Sequence, residues 1–312
     1  MRALSHLPRG TLVYLPHLPA DPPEAIELAI AHLRTSAPHL KPVPHIAVRR
    51  LPSEAELVRR LDAWQSVSSN GVSEVLIVRG DTGAAHDFGK KAESAGPPLS
   101  PNDNPAGPFG TSLDLLESGI LARQGINSVG LCGHPEGIGT AMGIDEALCF
   151  LCRKLDYAAR SGLQAHVVTQ VCFDAATTTA YVDGLRGAGY KNHVSLGLVG
   201  PTKPEVLQRM ATQCGVKPPR RLGSHQPSSQ GETIEVEESI PNHYLSHLAT
   251  WQAARGTEKG AQAIHVYPFG GVKRTFEWLH RYRSTTKAVP LSLQIGATHP
   301  PLLNEGSDRS VE

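Results

Sequence analysis

The chain has 312 residues, enough for one barrel-sized domain with a full core. A net charge of +1 gives no reason to expect attraction to nucleic acid or membrane, and no apolar run has the length needed to span a bilayer. The segment Met1–Arg9 lacks a signal-peptide core, and the five cysteines are odd in number and widely spread. Both features fit a reducing, cytoplasmic compartment better than a disulfide framework.

Apolar runs of strand length alternate with segments of helical period. The first strand is expected at Thr11–His17 and the first helix at Pro23–Thr35. Strand His45–Arg49 and helix Ser53–Ser66 follow, then strand Glu74–Val78, helix Ser112–Gln124 and strand Ser128–Cys132. Helix Asp145–Ser161 leads to strand His166–Gln170, helix Ala176–Ala188, strand Val194–Leu198 and helix Lys203–Cys214. Helix Tyr244–Gly256, strand Ile264–Tyr267 and a last helix near Lys273–Arg283 complete the pattern. Strand-then-helix repetition predicts parallel strands joined by right-handed crossovers, and the continuous apolar runs suit strands covered on both faces. The expected class is α/β, a (β/α)8 barrel. Seven strands are recognised, which leaves the barrel one short at its amino-terminal side. Residues 1–300 read as one barrel domain and 301–312 as a disordered tail.

Two connections look irregular. Thr82–Gly110 is rich in Gly, Pro, Ser, Asn and Asp, and its position directly after Asp81 suits a flap over a site as well as a mobile loop. Pro218–Glu238 is polar and reads as a surface excursion.

Three strands run into polar groups. Glu74–Val78 ends in Arg79-Gly80-Asp81, Ser128–Cys132 ends in Gly133-His134-Pro135-Glu136, and His166–Gln170 ends in Gln170. Parallel α/β folds bind ligands at the carboxyl ends of their strands, so these residues point to one mouth. Asp81 can accept hydrogen bonds from a heterocycle or cap the next loop. Gly80 would let a flat ligand approach the backbone. Gln170 donates and accepts at once, which suits an amide-like ring edge or a neighbouring loop. His134 and Glu136 can do acid–base work or form a rigid turn. His45 opens a strand, and Lys154 lies on a helix as a solvated charge or a phosphate partner. Cys149 and Cys152 form a Cys-x-x-Cys inside a helix with no second pair, so they read as packing residues and no metal site is expected. No dinucleotide fingerprint, P-loop, nucleophile elbow or His-Glu-x-x-His is found.

Taken together, the segments resemble the methylenetetrahydrofolate reductase family. The matches are Pro44-His45-Ile46, Val78-Arg79-Gly80-Asp81, Gly133-His134-Pro135-Glu136-Gly137, Arg153-Lys154, Val168-Thr169-Gln170 with Phe173-Asp174, Gly197-Leu198-Val199-Gly200-Pro201, and the run from His265 to Trp278. They occur in family order from about Thr11 to Arg283. The resemblance is closest to the short bacterial-type form.

That resemblance implies a (β/α)8 barrel holding FAD, with NADH or NADPH as electron donor and 5,10-methylenetetrahydrofolate as the folate substrate. It places the protein in one-carbon metabolism and methionine biosynthesis. It also implies FAD contacts from His45, Arg79, Gly80, Asp81, Gly110, His134, Arg153 and Lys154. Asp81 and Gln170 would be catalytic and would meet the pterin, and Lys273 or Arg274 would meet the folate glutamate.

Two departures stand out. Thr11–His17 aligns with the family's second strand, so the first strand and its glutamate are absent. Ile138 also stands where related sequences place a histidine. The departures leave open a folate-binding or regulatory protein without reductase activity. A barrel lacking one strand would expose two edges, for which a homo-oligomer is the expected cover.

Overall fold

The computed structural model describes residues 7–18, 21–67, 72–80, 107–138, 142–219, 230–285 and 292–296. Eight strands close into a barrel in sequence order. They are β1 (Leu12–Leu15), β2 (Lys41–Ala47), β3 (Glu74–Val78), β4 (Ser128–Gly133), β5 (Gln164–Thr169), β6 (Val194–Val199), β7 (Ala263–Tyr267) and β8 (Ser292–Gly296). Every neighbouring pair is parallel, including β1 with β8. The helices are α1 (Ala25–Ser36), α2 (Glu54–Val67), α3 (Ser112–Glu117), α4 (Ile120–Arg123), α5 (Ile144–Arg160), α6 (Ala175–Gly187), α7 (Pro204–Cys214), α8 (Gln230–Lys259) and α9 (Val272–Thr285).

The barrel class expected from sequence holds, but the count of seven strands does not. The closing strand lies near the carboxyl terminus. Leu291, Leu293 and Ile295 alternate with Ser292, Gln294 and Gly296, a two-residue period that a search for continuous apolar runs passes over. Because β8 pairs with both β7 and β1, the two open edges that motivated a homo-oligomer are absent.

Other boundaries differ for local reasons. β2 begins at Lys41 rather than His45, and Val48–Arg50 turns into a short 3-10 segment. Pro42 and Pro44 disguise the strand. They share one parity, so their missing N–H groups fall on one side of it, which the ladder tolerates. The expected helix Ser112–Gln124 is two pieces, broken at Gly119 in the left-handed region. α8 starts at Gln230, inside the segment expected to be a surface excursion.

Caps and apolar spacing explain the helices. In α2, Leu57, Leu61 and Trp64 recur on one face and are buried, and Ser53 Oγ accepts from Glu56 N at its start. Thr111 and Asp114 form a reciprocal capping box on α3. Asp174 caps α6 by accepting from Ala176 N.

Strand parity divides the core in two. Val13 and Leu15 of β1 pack outward with the helices, whereas Tyr14 packs inward with Val43, Leu76 and Val168. The interior is unusual for a barrel, where branched aliphatic side chains dominate. Tyr14 meets His265 edge-on at 4.6 Å and His45 at 6.0 Å, and His265 meets Tyr267 at 4.7 Å. Tyr14 Oη lies 3.2 Å from His166 Nε2. A row of imidazoles and phenols thus fills the centre.

Candidate active site

The carboxyl ends of β3, β4 and β5 form one side of the barrel mouth. Their order is fixed by hydrogen bonds between strand ends. Gln170 N donates to Gly133 O at 2.8 Å, so β5 ends beside β4. Gly197 N donates to Thr169 Oγ1 at 2.8 Å, and Tyr267 Oη donates to Thr169 O at 3.1 Å. Thr169 and Gln170 are therefore held from β4, β6 and β7. The Gln170 Oε1 accepts from Val171 N at 2.9 Å.

Arg79 and Gly80 continue β3. Arg79 O accepts from Arg49 N at 3.0 Å. Gly80 has φ +73°, and a Cβ there would stand 2.8 Å from Ala47 Cβ. Close packing against β2, together with the left-handed backbone, is what demands glycine at this position. Asp81 lies outside the described residues, so its convergence with Gln170 has no structural account here.

His134 follows β4, and its N–H donates to Tyr181 Oη on α6 at 3.2 Å. Burial, with a smaller contribution from Lys154, lowers the His134 pKa to about 4, so the ring is neutral at physiological pH. Glu136 is a brace. Its Oε2 accepts from Lys217 N at 2.7 Å, and Cys172 Sγ donates to its Oε1 at 3.4 Å. The rigid-turn reading of Glu136 fits this better than acid–base work.

Lys154 is the most informative side chain. It sits on α5 with 6% exposure. Its Nζ lies over the Phe150 ring at 4.9 Å, and burial lowers its pKa. Among the described residues no carboxylate stands within ion-pair distance of it. A buried ammonium without a counter-ion is costly unless a ligand anion completes it. Beside it, Cys132 is a half-buried thiol whose pKa desolvation raises to about 11, with Lys154 acting against that rise.

The remaining expected residues are dispersed. His45 lies inside the barrel. Burial alone lowers its pKa to about 4, and its Nε2 is buried with no hydrogen-bond partner. Arg153 is exposed on α5, near the Phe150 ring at 5.9 Å. Gly110 N donates to Asp114 Oδ2 at 2.8 Å within the α3 cap, so that amide is engaged. Arg274 pairs with Glu237 of α8, while Lys273 is exposed. Sequence reasoning passed over Tyr14, Tyr181 and Tyr267. The alternation in Ala263-Ile-His265-Val-Tyr267 was the available signal for the last of these.

The chain is also similar to known proteins over most of its length. A family model described as methylenetetrahydrofolate reductase matches residues 28–281. A Zea mays protein named methylenetetrahydrofolate reductase (NADH) 1 is 23% identical over 253 residues, covering 78% of this chain and 38% of its own length. Its Arabidopsis thaliana namesake is 24% identical over 234 residues, covering 72% of this chain and 35% of its own. A probable methylenetetrahydrofolate reductase (NADH) of Oryza sativa subsp. japonica is 23% identical over 252 residues. The chain thus spans less than two fifths of the length of these relatives. With the family model covering most of the barrel, the chain belongs to the methylenetetrahydrofolate reductase family.

Proposed function

We propose that this protein is a flavin-dependent reductase of 5,10-methylenetetrahydrofolate that takes electrons from NADH or NADPH and releases 5-methyltetrahydrofolate. The observation that carries the reading is Lys154, buried near Cys132 of β4 and, among the described residues, without a carboxylate partner, within the span matched by the family. Two features fit FAD: the Lys154 ammonium and His45 Nε2, which among the described residues have no carboxylate and no hydrogen-bond partner respectively. When bound, FAD supplies hydride transfer between the nicotinamide and the folate.

The protein's own groups then have distinct tasks. Lys154 and Arg79 supply positive charge for a pyrophosphate. Gly80 keeps the turn close to β2 and leaves the mouth open above it. His134, neutral and anchored by its backbone N–H on Tyr181 Oη, offers a ring hydrogen bond without a charge. Gln170 presents an amide donor to the pterin edge, and Asp81 is assigned the complementary acceptor. Lys273 is favoured over Arg274 to meet a folate glutamate, because Lys273 is exposed and Arg274 is paired with Glu237. The NADH in the names of the plant relatives favours that donor. A cytoplasmic location belongs to the same proposal. Among the described residues no helix is long and apolar enough to cross a membrane.

Purified protein should be yellow, and its flavin should bleach with NADH and recover with methylenetetrahydrofolate. Colourless protein that takes up no added FAD overturns the reading.

One observation favours a second reading. β8 occupies the slot between β7 and β1, where the alignment with the family leaves the first strand vacant. Its sequence, Ser292-Leu-Gln-Ile-Gly296, contains no acid. A protein that binds folate without reducing it would show saturable folate binding and no NADH oxidation; measurable turnover excludes it.

A further inference from the structure

The amino-terminal end of a (β/α)8 barrel ordinarily serves stability rather than binding. Here it holds a hollow of about 430 Å3, on the face opposite the candidate active site. Leu12, Glu74, Ser128 and Gln164 line it from the amino ends of β1, β3, β4 and β5, with His166 one turn of the pleat deeper and His193 just before β6.

The wall has a definite chemistry. His166 Nε2 stands 3.4 Å from Glu74 Oε1, and its ring meets His193 edge-on at 6.1 Å. His193 Nε2 is 2.9 Å from Ser195 Oγ, and Tyr14 Oη closes the floor 3.2 Å from His166 Nε2. Burial lowers the pKa of His166 to about 4, with His193 adding to the effect, and burial also lowers that of His193, so both rings are neutral at physiological pH. Among the described residues Glu74 is the one carboxylate in the lining, and no Lys or Arg belongs to it. Burial raises its pKa, while Lys41 at the start of β2 and the Ser128 hydroxyl act against that rise.

We propose that this hollow binds a short aliphatic primary amine, with Glu74 as counter-ion to its ammonium group and Leu12 and Ala165 against its methylenes. Three features select that class. The described lining carries the Glu74 carboxylate, with Lys41 acting on it from the start of β2, and otherwise neutral polar groups, which suits a cationic donor and disfavours an anion. Among the described residues no three His, Cys, Asp or Glu side chains converge as a metal would need, so an organic cation is favoured over a metal. The volume is near the lower end for small-molecule sites, which suits a molecule far smaller than a dinucleotide or a folate.

The test is calorimetric titration of the full chain with 1,4-diaminobutane at neutral pH. Saturable binding is expected. Glu74→Gln should weaken it by about tenfold or more, the loss of a charge-assisted hydrogen bond. Asn192→Trp should block it sterically from the rim, because Asn192 is exposed and its backbone carbonyl, which accepts from Arg186, is retained. Lys273→Ala, at the opposite end, should leave it unchanged. No saturable binding to the wild-type chain overturns the proposal, as does wild-type affinity in either blocking variant. Should Glu74→Gln fail to fold, Asn192→Trp decides the matter alone.

Discussion

Acidification from neutral to about pH 5 should strip stability from this barrel through its imidazoles. His45, His134 and His166 are each lowered from 6.5 to about 4, in every case chiefly by burial. In the unfolded chain these rings take up a proton near their ordinary value; in the native barrel they stay neutral until about pH 4. The stabilisation is therefore complete above pH 6.5 and is lost as the pH falls toward about 4. At about 1.36 kcal/mol per pH unit, the fall is worth at most about 3 kcal/mol for each ring. With three rings titrating together, the steepest part of the curve should approach about 4 kcal/mol per pH unit. Glu74 works in the opposite sense. Its raised pKa means that it gains a proton in the native barrel before the unfolded chain does, which offsets part of the loss at the acid end. The assay is urea unfolding across that pH range, with the imidazole C–H resonances followed by NMR. Unfolding free energy that stays within about 1 kcal/mol from neutral to pH 5 refutes the reasoning. So does an NMR titration showing these rings protonating near their ordinary value.

Lys154→Met should lower flavin affinity by about tenfold through loss of a charge-assisted contact, while leaving folding stability equal or higher because a buried charge is removed. Unchanged flavin content on purification counts against the assignment. Gly80→Ala should cost about 1–3 kcal/mol, since its φ of +73° and the 2.8 Å approach to Ala47 Cβ both resist a side chain; thermal melting checks this. Leu61→Ala, at a fully buried site on α2, should cost about 2–5 kcal/mol in urea unfolding with an unchanged denaturant slope.

The arrangement of the mouth shows how far local pattern reaches. The polar residues after β3, β4 and β5 were visible because a buried strand that runs into Arg79, His134 or Gln170 breaks its own apolar pattern. The pairing of Arg274 with Glu237 was not, because nothing in the local sequence says which carboxylate of another helix lies opposite. The engagement of Gly110 in the α3 cap shows the same limit at shorter range. Its N–H is committed to Asp114, four residues away, and only the folded turn reveals it.

By itself the sequence determined the alternation of strands and helices and the parallel barrel class. These follow from periodicity and from the short-range rules that terminate strands and cap helices. Only the tertiary structure decided that β8 closes the ring, that tyrosines and histidines fill its centre, and that Lys154 is buried. The physical reason is the same in each case. Pairing, burial and counter-charge come from residues distant in the chain, and no local pattern encodes which distant residue will arrive.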